Sequence, residues 1–400
     1  MDKKVGLAIV TYGTNYGTYL QAFATQQLIR NLGYQTEVIN IDSVKKEVSK
    51  SRKKYFARQI FNLSELKSYK SVLKGIVREK IDKKYKKYID NRKEKFSEFK
   101  NQKFGFSSIV KSWDGLTKLC EEKYEHVVVG SDQLWRPANI AGDFYTLNFV
   151  PNSVNKIAYA TSFGLSEIRS NQKKKAQNFL NRIDHLSVRE VSGAKIVNEL
   201  TGRKIPVVFD PTLMLSQEEW GAFVLKTQIV EGKYVLCYFL GNNKEHRLFA
   251  KNLAKQSGCK VVGILHIAGY LAIDKNFYDE EPINIGPFEF LNLIKNAEYV
   301  CTDSFHGCVF SAIFNKRLFA FRRFKSSNKM STNVRITTLL STIGLEKSLI
   351  YGFEPIDEQI KIKIDYNMVN LKIDSKRKES LKYLTDSFAS ENTDLQCAEK

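Results

Sequence analysis

The run Ala297-Glu-Tyr-Val-Cys-Thr302-Asp303-Ser304-Phe305-His306-Gly307 decides the fold class. Its first half, mostly apolar around Tyr-Val-Cys, reads as a buried strand, and Val309, Phe310, Ile313 and Phe314 then recur at helical spacing. A small polar loop carrying one imidazole thus joins a strand to the start of a helix. In open α/β sheets that junction is where ligands bind, because helix N-termini offer free N–H groups to anions. Asp303 and Ser304 are natural N-caps. His306 falls in the first helical turn, where the dipole disfavours its charged form unless an anion beside it compensates. A protonatable group that depends on a bound anion suits general-acid chemistry on a phosphorylated substrate. A histidine that merely caps local structure is the plain alternative.

The same strand-to-loop-to-helix rhythm extends outward in both directions. Val5–Thr11 reads as a parallel strand, Tyr12–Gly17 as a glycine-bearing loop, and Leu20, Phe23, Ala24, Leu28 and Leu32 as a helix stripe ended by Gly33. The loop fits neither G-x-G-x-x-G nor a P-loop. Gly13 therefore reads as a turn glycine, and Asn15 and Gly17 as pocket lining. His126–Val129 runs into Gly130-Ser131-Asp132-Gln133-Leu134-Trp135, where Trp135 offers either a sugar-stacking face or core packing. Pro206–Phe209 ends in Asp210-Pro211, which reads as a turn. A second series starts at Lys233. It includes Leu318–Phe321, which delivers Arg322, Arg323 and Lys325, and Asn333-Val-Arg335, which opens a helix. Two serial blocks predict two doubly wound, Rossmann-like α/β domains facing a cleft, over 1–215 and 216–375. Residues 376–400 then read as a helix near Ser380–Phe388 and a flexible tail.

Residues 44–110 break the rhythm as a basic helical insertion. From Val44 to Lys103 there are 21 Lys and Arg against 7 Asp and Glu, so +14 of the chain's +20 lies there. Val72, Ile76, Ile81, Tyr85, Tyr88 and Ile89 make a thin apolar stripe, while Phe56, Ile60, Phe61, Leu63 and Leu66 are interleaved with lysines. That pattern predicts either a solvated face or, favoured here, a surface resting on anionic headgroups through residues 44–103. No nucleic-acid module is recognisable, so nucleic acid is not an expected partner. The 400 residues contain no apolar run of membrane-spanning length, and the N-terminus lacks a signal-peptide pattern. The six cysteines are scattered, and His126, His185, His246 and His266 show no metal spacing. The expectation is a cytoplasmic protein without a metal, peripheral at the inner membrane face if the insertion meets lipid.

Five segments, in order, resemble motifs of the polysaccharide pyruvyl transferase family. They are Asn15–Ala24, Gly130–Trp135, Ser187–Glu190, Asp210–Leu213 and Thr302–Gly307. The resemblance implies a fold similar to GT-B glycosyltransferases. It also implies a reaction in which phosphoenolpyruvate, as co-substrate and with no other cofactor, gives its enolpyruvyl carbons to two sugar hydroxyls as a ketal. His306 matches the family histidine that would protonate the methylene carbon. Donor contacts are implied among Arg189, Ser304, Phe305, Gly307, Arg322, Arg323, Lys325 and Arg335. Acceptor contacts, to a free or lipid-linked glycan, are implied among Asn15, Gly17, Gln21, Ser131, Asp132, Trp135 and Asp303. Many members carry Arg where this chain has Ser304, and a proline where it has Arg317. Two other readings stand beside this one: a GT-B glycosyltransferase using a nucleotide sugar, and a non-catalytic basic scaffold.

Overall fold

The computed structural model describes residues 4–57, 78, 82–266, 271–324 and 333–389. In the first domain β1 (Lys4–Ala8), β2 (Thr36–Val38), β3 (Tyr124–Val129), β4 (Asn155–Thr161) and β5 (His185–Val188) form one sheet in the order β2-β1-β3-β4-β5. The second contains β6 (Tyr234–Tyr238), β7 (Lys260–Gly263), β8 (Tyr299–Thr302), β9 (Arg317–Phe321) and β10 (Leu349–Ile350), ordered β10-β9-β8-β6-β7. Every pairing is parallel. The near-continuous apolar strands follow from this, since parallel strands are covered on both faces. Counted within its own sheet, each domain has the order 2-1-3-4-5. The winding direction therefore reverses between β1 and β3 and again between β6 and β8, and ligands bind at the carboxyl side of such switch points. This is the two-domain, GT-B-like α/β arrangement that the motif order implies.

Helix α1 (Tyr16–Asn31) leaves the first switch point, capped by Asn15, whose side chain accepts from Thr18 N–H at 3.2 Å. Gly33, at φ +91°, lets the chain turn away behind it. From the insertion come α2 (Lys45–Ala57) and α3 (Lys83–Lys103), and from the second domain α4 (Pro287–Asn296) and α5 (Phe305–Ile313). Rings bind the two domains beneath the cleft. Tyr16 stacks on Phe290 with centroids 4.7 Å apart, and Phe23 meets Phe288 at 5.5 Å. Burying such rings removes large apolar areas from water and fixes how the two switch points face each other.

Two segments differ from their sequence reading. The insertion is not one continuous exposed basic surface. On α2 Val48 alone is buried, but α3 buries Tyr85, Tyr88, Arg92, Phe96 and Phe99. Phe99 packs on Phe288 of the second domain, and Arg92 Nη2 donates to Leu265 O at 2.9 Å. The inner face of α3 is thus occupied by protein, and its lysines Lys83, Lys86 and Lys87 point to solvent. Ile60, Phe61, Leu63, Leu66, Val72, Ile76 and Ile81 lie outside the described residues. Among the described residues no helix is long and apolar enough to cross a membrane.

The second difference is at the end of the chain. After α6 (Asn333–Ile343), helix α7 spans Tyr366–Ala389, well before Ser380, because the charged run 374–379 hides a continuous Val369, Ile373, Leu384, Phe388 stripe. It returns to the first domain. Phe209 N–H donates to Ser380 Oγ (2.9 Å), Tyr383 O–H donates to Ala158 O (3.1 Å), and Phe388 stacks on Tyr34. The tail expected after it lies outside the described residues.

Candidate active site

His306 sits in the first turn of α5, which Ser304 caps by accepting from Gly307 N–H at 3.4 Å. Ser304, not Asp303, is the N-cap. The imidazole is buried and held from two sides by the other domain. A Cβ on Gly17 would lie 2.0 Å from its Nδ1, so the first turn of α1 must be bare there for the helices to approach. On its other side Nε2 lies 3.8 Å from Asp210 Oδ2. The anion that a charged histidine at a helix N-terminus requires is therefore supplied by the protein itself.

Asp210 is 1% exposed. Its Oδ1 accepts from Thr212 N–H (3.0 Å) and Oγ1–H (2.6 Å), which is the turn expected from Asp-Pro-Thr. The other oxygen does something the sequence did not reveal. Oδ2 accepts from Ser131 Oγ–H at 2.7 Å and Arg189 Nη1 at 2.8 Å, and faces His306. Burial alone would raise its pKa, but His306, Arg189 and Thr212 together overcome that and hold the carboxyl well below its ordinary range. Asp132 behaves similarly. Burial again opposes ionisation, yet Arg189, His306 and the Thr18 hydroxyl (2.7 Å to Oδ2) keep its pKa low. Asp132 stands at φ +75°, an uncommon backbone for a residue with a side chain, just beyond β3 at the switch point.

Cations gather around the Phe305 ring, with Arg189 Cζ 4.7 Å and Arg335 Cζ 5.8 Å from its centroid. With the Gln133 amide oriented to accept, Oε1 lies 2.9 and 3.0 Å from Arg335 Nη1 and Nη2. Desolvation, then the Arg189 charge, push the Arg335 guanidinium down to about 9, with Glu190 and Asp132 acting the other way. Arg323 Nη2 donates to Asp303 O at 2.8 Å. Among the described residues five buried nitrogens here have no hydrogen-bond partner, His306 Nε2, Arg189 Nε and Nη2, Arg323 Nε and Arg335 Nε, although Arg189 Nε and Nη2 each lie 3.6 Å from a carboxylate, of Glu190 and of Asp132. Native proteins rarely leave such donors unpaired, and a phosphate or carboxylate would satisfy them.

Of the expected donor-site residues, the structure brings together Arg189, Ser304, Phe305, Gly307, Arg323 and Arg335 near His306. Arg322 instead lies over the Tyr351 ring at 4.9 Å, and Lys325 falls outside the described residues. Of the expected acceptor set, Asn15, Gly17 and Asp132 stand at the switch-point loop. Four others do not reach the cleft. Trp135 is fully buried against Phe163 and Phe179, with Nε1 donating to Tyr145 O, because an indole buried with its N–H satisfied is core. Gln21 is fully buried and donates to Thr18 O within its own helix. Ser131 is spent on Asp210. The Asp303 carboxylate accepts from Leu240 N–H (2.6 Å) and Gly241 N–H (2.8 Å) and has no exposed surface. Among the described residues no group of three His, Cys, Asp or Glu is placed to hold a metal.

Fold and site together define a two-domain α/β protein with buried arginines, buried carboxylates and a carboxylate-paired histidine between its switch points. The chain belongs to the polysaccharide pyruvyl transferase family, whose sequence profile matches residues 15–323, and is a transferase of that family. No protein of curated function matches the sequence. Among solved structures it is similar to UDP-GlcNAc 2-epimerase from Methanocaldococcus jannaschii (14% identity, TM-score 0.47, 94% of each chain covered). It is also similar to the glycosyltransferase SnogD from Streptomyces nogalater (10% identity, TM-score 0.46, 96% of this chain and 100% of that one). A third is E. coli ADP-heptose LPS heptosyltransferase II (11% identity, TM-score 0.37, 94% and 99% covered).

Proposed function

We propose that the protein transfers the enolpyruvyl group of phosphoenolpyruvate to two hydroxyls of a sugar in a cell-surface polysaccharide or its lipid-linked precursor. The observation that carries this reading is the His306–Asp210 pair, set between domains beside Arg189, Arg323 and Arg335, whose Nε atoms have no hydrogen-bond partner among the described residues. Phosphoenolpyruvate bears a phosphate and a carboxylate, and Arg189, Arg323 and Arg335 supply enough donors for both. His306 protonates the methylene carbon, which becomes the methyl group, and positive charge develops at the adjacent carbon. One sugar hydroxyl adds there and loses its proton. Phosphate then leaves with the C–O bonding pair, and the second hydroxyl closes the ketal, losing its own proton. Asp210, held ionised by its neighbours, gives the protonated ring its counter-charge and orients it. Should the acceptor be lipid-linked, the exposed lysines of α2 and of the outer face of α3 would keep the enzyme near anionic headgroups.

Thermal denaturation at low salt with phosphoenolpyruvate, against a panel of nucleotide sugars, tests the donor. A ligand that binds only the folded chain raises the midpoint. The expected result is a shift with phosphoenolpyruvate alone. A shift with a nucleotide sugar alone overturns the reading in favour of glycosyl transfer, with His306 serving the leaving phosphate.

A further inference from the structure

Beyond the carboxyl end of β7 lies a cavity of about 220 Å³ that the donor chemistry does not use. In the sheet order β8-β6-β7, this strand stands two places from the one that carries His306. Two strand spacings amount to ~10 Å. The cavity is therefore beside the reaction centre and separate from it. Two links tie its walls to that centre. His266 Nε2 lies 3.1 Å from Leu240 O, and Leu240 N–H is bound by Asp303. On the other wall Tyr88 is bonded to Arg92, whose guanidinium lies over Tyr16, the neighbour of Gly17.

Size and lining select the occupant. The volume is several times the ~30 Å³ share of one water, and below the ~300 Å³ where pockets for drug-sized ligands begin. That is the class of a single sugar ring. Helix α3 contributes Tyr85 and Tyr88, and the loop after β7 contributes Leu271, Asp274, Tyr278 and Ile283. Aromatic faces with a few fixed polar atoms suit a pyranose, which has apolar C–H faces and an equatorial belt of hydroxyls. The polar atoms are pre-set. Asp274 Oδ1 accepts from Arg247 Nε (2.7 Å) and Tyr278 O–H (3.2 Å), and among the described residues no donor is bonded to Oδ2. The Tyr88 hydroxyl accepts from Leu265 N–H (3.1 Å) and from Arg92, leaving its own proton to donate. Hydroxyls both donate and accept, so a sugar satisfies the two at once. The lining sets Asp82, Asp274, Asp279 and Glu281 against Arg78, Lys84 and Lys275, and Arg78 and Lys84 are paired with Asp82 and Glu281, so no net positive charge calls for an anion. A wholly apolar ligand would strand the polar atoms.

We propose that this cavity is a glycan subsite that binds one neutral pyranose residue of the acceptor, next in the chain to the sugar that receives the pyruvate. This rests on the acceptor reading above, and its test does not use the donor. Saturation-transfer NMR on the full chain would use millimolar methyl pyranosides of glucose, galactose, mannose and N-acetylglucosamine. Ile283→Trp fills the mouth from a position that is 42% exposed, so the fold tolerates it. Tyr88→Phe removes one donor and also the acceptor of Leu265 N–H and Arg92, so its melting temperature without ligand is recorded beside its affinity. The expected result is transfer to at least one pyranoside in the wild type, at least ~10-fold weaker affinity in Ile283→Trp and a several-fold loss in Tyr88→Phe, with the thermal shift by phosphoenolpyruvate kept in both. No transfer to any pyranoside in the wild type, or equal affinity in both variants, overturns the subsite. A missing thermal shift with phosphoenolpyruvate in the wild type, alongside intact sugar data, would sink the donor reading and leave the subsite standing.

Discussion

Asp210 and Asp303 are both sealed from solvent, and each stands where a strand-like run meets a helical turn. They nevertheless hold different things. Asp303 spends its two oxygens on adjacent amides, Leu240 and Gly241, with Arg323 Nη2 3.7 Å from Oδ1, and so fastens the β6 loop, the β8 loop and that arginine inside one domain. Asp210 spends one oxygen on its own turn, while the other collects Ser131 and Arg189 from its own domain and faces His306 from the other. A buried carboxylate saturated by backbone N–H groups is a fastener. One that shares an oxygen with an arginine and an imidazole can influence a proton. Burial does not separate the two cases; the partners of the second oxygen do.

The sharpest way to break that contrast is to remove the group Asp210 faces. His306→Ala should lower phosphate release from phosphoenolpyruvate by ~10²–10⁴-fold, with the dissociation constant for phosphoenolpyruvate little changed, because an acid is lost and the cations stay. Single-turnover kinetics and calorimetry separate the two quantities. Asp210→Asn comes next, with ~10²-fold slower turnover, since the amide removes the carboxylate that lies 3.8 Å from the imidazole. It should also alter acid stability. The folded carboxyl titrates below its ordinary 3.8, so its contribution is present above about pH 4 and is lost as the pH falls below that. Melting temperatures between about pH 5 and 2 should fall less steeply in Asp210→Asn than in the wild type.

Arg323→Ala removes a charge-assisted donor and should weaken phosphoenolpyruvate binding by ~10–100-fold, measured by titration calorimetry. Asp303→Asn should do the reverse of the catalytic variants. Losing one of two amide bonds costs about 1–3 kcal/mol of stability by chemical denaturation, while turnover per folded molecule stays within about tenfold of wild type. If Asp303→Asn instead matches Asp210→Asn in rate, the division between fastener and proton partner fails.

The fold was largely legible because each parallel strand is buried on both faces and so announces itself as a short apolar run: Val127–Val129, Tyr234–Tyr238 and Leu318–Phe321 could be seen without any knowledge of their neighbours. Position at a switch point was legible too, since Gly17, Asp132 and His306 each follow such a run. Partnership was not. Asp210 has a complete local explanation in Thr212, two residues on, whereas Ser131, Arg189 and His306 lie 79, 21 and 96 positions away. Trp135 shows the opposite limit, because a tryptophan next to a polar strand end looks the same in sequence whether its indole faces a cleft or a core. The lysine density of α3 likewise concealed that its sparse rings, with Arg92, fill the seam between domains.

The return of α7 also has a consequence for how the molecule is made. Phe209, Ala158 and Tyr34 of the first domain receive their covering partners Ser380, Tyr383 and Phe388 from almost the end of the described chain. At translation rates of ~5–20 residues per second, a nascent first domain waits roughly 10–40 s for that covering after its last strand has been made. During that interval the apolar flank later closed by α7 is open to chaperones and to other nascent chains. Losing the last helix would therefore reduce the yield of folded protein more than its distance from His306 suggests.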